Sequence, residues 1–177
     1  RRVDRSDPVI QRIRSAIFPG IPEEYYSVNG DMYALPLDAC VQMLFGRKDI
    51  FEDELSKRGY YEANRKRRAI PESFQEYNQL AEFFTRRYNR KSPTAYGTTL
   101  TCGGSYTAAC EVLPRFYELG GRVPGEEGRV QVVTAEMRAA FESCLESEKY
   151  ATKEPHFWWQ ESAEVFSDGF TAMNILF

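Results

Sequence analysis

Thr101-Cys102-Gly103-Gly104-Ser105 places a thiol and a hydroxyl in a glycine-rich loop. A cysteine becomes a working nucleophile only beside a base or a positive field that favours its thiolate. His156, the single imidazole, stands far along the chain. The loop also lacks the lysine of a phosphate-cradling loop. Its glycines then have a simpler use, a turn ahead of a helix. The cysteines at 40, 102, 110 and 144 form no Cys-x-x-Cys pair, and with one histidine they lack zinc-site spacing. The reading is therefore a chain that is not an enzyme, with no catalytic, cofactor-binding or metal residues. Cys40, Cys110 and Cys144 fall on or beside helical apolar stripes, where a free thiol behaves as a small hydrophobe. Reduced thiols and a reducing compartment are expected, with a Cys102–Cys110 disulfide as the alternative.

Two other groupings suit binding rather than catalysis. Residues 57–91 hold ten bases against four acids, with Tyr60, Tyr61, Phe74, Tyr77 and Tyr88 interleaved. Cations neutralise phosphates and aromatic rings stack on bases, so Arg65, Lys66, Arg67, Arg68, Arg86 and Arg87 form a candidate patch for RNA or an acidic partner. The net charge of −3 opposes a general pull toward nucleic acid, and a solvated basic face is the simpler alternative. From Glu118 to Asp168 there are eleven acids against five bases, which makes the last third acidic. The final segment carries both tryptophans. Its apolar row of Trp158, Trp159, Phe166, Phe170 and Phe177 is either core or a face for a protein partner.

The elements that must position these residues read as helices. An apolar content of 42% and an aromatic content of 14% exclude a disordered chain. No run is long enough to span a bilayer. Asp7-Pro8 opens a helix carrying Ile10, Ile13 and Ile17, which Pro19-Gly20 stops. Residues 19–34 form a connecting loop with breakers at Pro19, Gly20, Pro22 and Gly30. Leu37, Cys40, Val41, Leu44 and Phe45 predict a helix over 37–45. Asp49-x-x-Glu52 predicts a helix that ends at Gly59, and Ser73-x-x-Glu76 opens one over 74–88. Residues 89–104 read as a long loop, with an extended stretch over 95–102 as the other reading. Ala109, Val112, Leu113 and Phe116 predict a helix over 105–119 that Gly120-Gly121 ends, with Pro124 barring its continuation. After a turn at Gly125–Gly128, helices are expected over 132–148 and, beyond Pro155, over 158–176.

These helices pair as 37–45 with 50–58, 74–88 with 105–119, and 132–148 with 158–176. Cys110, Val112, Leu113, Phe116, Gly121 and Pro124, followed by Val133-Thr134, together with Tyr77-Asn78 and Leu80, resemble the pentatricopeptide-repeat (PPR) family. The resemblance implies an all-α fold, about three helical hairpins stacked as a short α-solenoid over residues 35–177. The N-terminal helix and its loop, residues 1–34, precede it. Asn78 then joins the RNA patch as a base-reading side chain, but Glu136 takes that place in the third pair. Pro71 and Pro124 lie farther apart than one repeat of roughly 35 residues, and Pro114 sits inside a helix. Such degeneracy is similar in kind to PPR-derived peripheral subunits of the mitochondrial F1-ATPase. The implied role is a non-catalytic structural, protein-binding subunit of a larger assembly in the mitochondrial matrix, with the F1-ATPase alpha subunit as the candidate partner. RNA binding is the alternative. An Arg1-Arg2-Val3 start fits removal of a transit peptide, or a simple boundary.

Overall fold

The computed structural model describes residues 2–17, 21, 23–37, 40–67, 69–123, 132–152 and 158–177. The expected stops at Pro19-Gly20, Pro22, Pro124 and Pro155, the Gly125–Gly128 turn, and the residues Arg68 and His156 lie outside them. The chain divides into two units, residues 1–41 and 42–177.

The first unit holds helix α1 (Pro8–Ala16), a 3-10 turn (Glu23–Tyr25) and a hairpin of β1 (Ser27–Val28) and β2 (Asp31–Met32). Asp7 caps α1 by accepting the Val9 amide at 2.8 Å, and Pro8 costs nothing at a position whose N–H has no helical partner. The hairpin turns on Asn29-Gly30, both at positive φ, which is the geometry that Asn-Gly favours because it matches strand twist. Met32 is buried, and its carbonyl accepts the Val3 amide at 2.7 Å.

The second unit runs β3 (Met43–Gly46), α2 (Lys48–Glu52), α3 (Glu54–Asn64), α4 (Phe74–Phe83), α5 (Ser105–Glu118), α6 (Ala135–Glu148), α7 (Trp159–Ser167) and β4 (Met173–Leu176). The all-α solenoid of stacked hairpins is thus overturned: two antiparallel sheets are present, and the helices do not succeed one another as stacked pairs. Both α4 and α5 pack on α6, while α7 packs on β4. The expected helix over 37–45 is replaced by β3, paired with β4 in the register Met43 to Leu176 and Gly46 to Met173. The expected helix over 158–176 breaks at Gly169, whose φ of +80° leaves the helical region, and its end becomes β4. Short apolar runs satisfy both periods, and here a distant strand decided between them.

Other boundaries moved for local reasons. Asp53 accepts the Ser56 amide at 2.6 Å, which starts α3 afresh and carries it through Gly59. A Cβ on Gly59 would meet the Phe83 ring at 3.7 Å, an ordinary contact, so the glycine is not required there. Ser73 caps α4 at 3.1 Å. That helix ends early because side chains take its last carbonyls: Thr85 Oγ1 donates to Ala81 at 2.7 Å, and Ser92 and Thr94 both donate to Phe84 at 2.7 Å. The segment after it is neither a surface loop nor a full strand. Thr94, Thr98, Thr99 and Thr101 are buried, and isolated parallel bridges join Tyr96 to Thr171 and Thr98 to Ala151. One core gathers Tyr60, Tyr77, Leu80, Ala81, Phe84 and Met173; a smaller one joins Val112 and Phe116 of α5 to Ala140 of α6.

Candidate functional site

Gly104 ends the Thr101–Ser105 loop and begins α5. Thr107 Oγ1 accepts the Gly104 amide at 3.0 Å and donates back to the Gly104 carbonyl at 2.9 Å. Trp158 begins α7, where its amide donates to Glu161 Oε2 at 3.0 Å. These two helix starts meet: a Cβ on Gly104 would lie 3.7 Å from Trp158 Cζ2. Around them four aromatic rings collect from three elements. Tyr106, in the first turn of α5, lies edge-on to Trp159 with centroids 5.6 Å apart. Trp159 in turn lies edge-on to Phe177, just past β4, at 4.6 Å. Edge-to-face pairs of this kind are held by the ring quadrupoles and keep ring faces in place. Tyr106 is 64% exposed, Trp158 48% and Phe177 39%, so the cluster is a surface rather than a core. Apolar rings left in water cost free energy, so an exposed cluster of this kind is a candidate interaction surface.

No ionised side chain belongs to the rings or to the loop. Cys102, on the exposed loop, is held protonated near neutrality, since burial raises its thiol pKa and the Glu111 charge adds to the effect. What the loop contributes is hydroxyl, thiol and backbone groups, at a helix start whose first N–H groups have no helical partner.

Of the aromatic residues singled out from the sequence, Trp158, Trp159 and Phe177 come together here. Phe166 is half-buried along α7, and Phe170 is 54% exposed beyond its end. Tyr106 was missed. Its signal was its place directly after the Gly-Gly-Ser turn, a position read only for nucleophiles.

The basic residues are spread differently. Arg65 ends α3 in the left-handed region at φ 55°, and Arg67 is exposed. Lys66 is paired with Glu76, which raises the lysine pKa and, with the Glu72 amide as the larger cause, lowers that of the carboxyl. Arg86 donates to the Pro93 carbonyl at 3.1 Å, and Arg87 lies 5.8 Å from the Tyr88 ring centroid. Asn78 is buried, donating to the Ser143 carbonyl at 3.2 Å and accepting from Ser147 at 2.5 Å. A concavity of this unit is lined by α2, α3, α4 and residues 88–93. Three of its carboxylates are already engaged, Asp49 with Arg47, Asp53 as a helix cap and Glu62 with Arg58, so they do not converge on a common ligand. Among the described residues no group of His, Cys, Asp and Glu gathers to hold a metal, and no helix is long and apolar enough to cross a membrane.

No family model matches the chain, and no curated protein matches it. It is similar to a solved structure of a chitin oligosaccharide binding protein, with a TM-score of 0.64 and 18% identity, over 99% of this chain and 41% of that one. This chain therefore spans less than half the length of that protein, and at such identity the likeness is one of fold.

Proposed function

We propose that the chain is a non-catalytic binding lobe that holds a neutral oligosaccharide against Tyr106, Trp158, Trp159 and Phe177. The observation that carries this reading is the aromatic cluster at the joined starts of α5 and α7, in which Tyr106, Trp158 and Phe177 are exposed around a half-buried Trp159. A pyranose ring presents a face of C–H groups that packs on an aromatic face, while its hydroxyls need donors and acceptors at the rim. The exposed Cys102 and Ser105 of the loop supply such groups beside the rings, while Thr101 and Gly104 are already bonded within the protein. The name of the protein with the similar fold points to the same ligand class.

One surface without an opposing wall binds weakly, with Kd on the order of 1 mM. Titration of the chain with chitin oligosaccharides should quench or shift its tryptophan fluorescence in a saturable way. Trp158→Ala and Tyr106→Ala should each weaken that binding at least about tenfold with the fold intact by circular dichroism. A flat response at roughly ten times the expected Kd, or unchanged affinity in both variants, would end the saccharide reading.

A second reading takes the same face as a dock for a protein subunit of a larger assembly. The exposure of Tyr106 and Trp158 in a chain whose last third is acidic favours it. Saccharide that fails to bind while a partner subunit protects Tyr106 and Trp158 from solvent would select this reading.

A further inference from the structure

Beneath the loop lies a buried chain of polar groups that the binding surface itself does not use. Glu111, on α5, is buried, and Arg115 one turn later is 1% exposed. Glu111 Oε1 accepts from both Thr101 groups, the amide at 2.9 Å and Oγ1 at 2.8 Å. Its Oε2 accepts from Arg115 Nη1 at 3.1 Å. Arg115 Nη2 donates to Ser147 Oγ of α6 at 3.0 Å, and Ser147 donates on to Asn78 Oδ1 of α4. The guanidinium carbon lies 4.1 Å from the centroid of the Phe74 ring, which fixes its plane.

A buried ion pair is a poor way to gain stability, because desolvating both charges offsets most of their attraction, and apolar residues of similar size often do as well. What this pair does supply is direction. The Glu111–Arg115 bond lies within α5, and the bonds at its two ends reach out of that helix, so the loop at Thr101 is tied through α5 to α6 and α4. The other end of the loop is held separately, since Gly104 exchanges two hydrogen bonds with Thr107. Cys102 and Gly103 are carried between these two anchors, Thr101 on Glu111 and Gly104 on Thr107.

Resting on the saccharide reading, we infer that Glu111 and Arg115 are positioning residues for the ligand loop: the pair fixes its Thr101 end, so that with Gly104 held by Thr107 it sets where Cys102 and Gly103 stand beside the Trp158 ring, and so tunes affinity. Two variants of the full chain test this. Thr101→Val removes one bond to Glu111 and keeps the shape. The double variant Glu111→Leu/Arg115→Met removes the pair and fills its volume with apolar groups. Both should keep a cooperative thermal transition, yet bind chitin oligosaccharides about tenfold more weakly, with the tryptophan emission of the unliganded chain shifted. Should wild type bind while both variants bind equally well, the positioning role is overturned and the saccharide reading stands. Should wild type bind no saccharide, the underlying reading fails and this inference falls with it. A double variant that loses affinity only in step with its thermal midpoint, with Thr101→Val unaffected, would also reduce the pair to a structural role.

Discussion

Gly97 shows how sharply a single position can be determined. A Cβ there would stand 2.0 Å from the Ala81 carbonyl oxygen and 2.4 Å from its Cα, both backbone atoms of α4 that cannot move aside. The Gly97 amide meanwhile donates to Tyr150 at 3.0 Å and its carbonyl accepts from Met173, so the residue stitches α4, the end of α6 and β4 together. Gly97→Ala should therefore destabilise the chain by about 3 kcal/mol or more, seen as a lowered urea midpoint. The residue was visible in the sequence only as one glycine in an irregular stretch. Nothing local marks which helix will press against it. The same holds for Asn78, to which the PPR resemblance assigned a base-reading role. Burial converts it into the far end of the Glu111–Arg115 network, because a polar side chain is kept inside only where its hydrogen bonds are met.

At the scale of elements, α5 resolves the conflict that Pro114 poses. Proline cannot donate to the carbonyl four residues back, which leaves that of Cys110 open. Gln42 Nε2 donates to it at 3.2 Å. The helix therefore continues through the proline. Gln42→Ala should cost about 1 kcal/mol in chemical denaturation, and adding Pro114→Ala should recover most of it by restoring the helical N–H to the same carbonyl. Helix starts and stops were legible because their signals act within a few residues: Asp7-Pro8, Ser73, and Gly120 at φ +86° each stand where their chemistry predicts. The strands were not legible. Met43–Gly46 and Met173–Leu176 each fit a helical stripe when read alone, and pairing across nearly the whole second unit is what made them extended.

For the whole molecule, both hydrophobic clusters and the aromatic surface fall within residues 42–177. The first unit is short, and so short a segment rarely sustains a core of its own. Residues 42–177 expressed alone should unfold cooperatively and keep the saccharide response of the full chain; a non-cooperative transition in calorimetry would contradict this. The amino-acid sequence by itself determined the caps at Asp7 and Ser73, the stop at Gly120, the absence of paired Cys-x-x-Cys ligands and the wealth of aromatic residues near the C-terminus. Each depends on neighbours in the chain. The Asp49 cap and the Gly46 and Gly59 stops gave way in the folded chain. Only the tertiary structure decided that two apolar runs are strands, that Arg115 and Glu111 are interior, and that Tyr106 joins Trp158, Trp159 and Phe177. These depend on contacts between distant segments, whose energies appear only after the loops between them have closed.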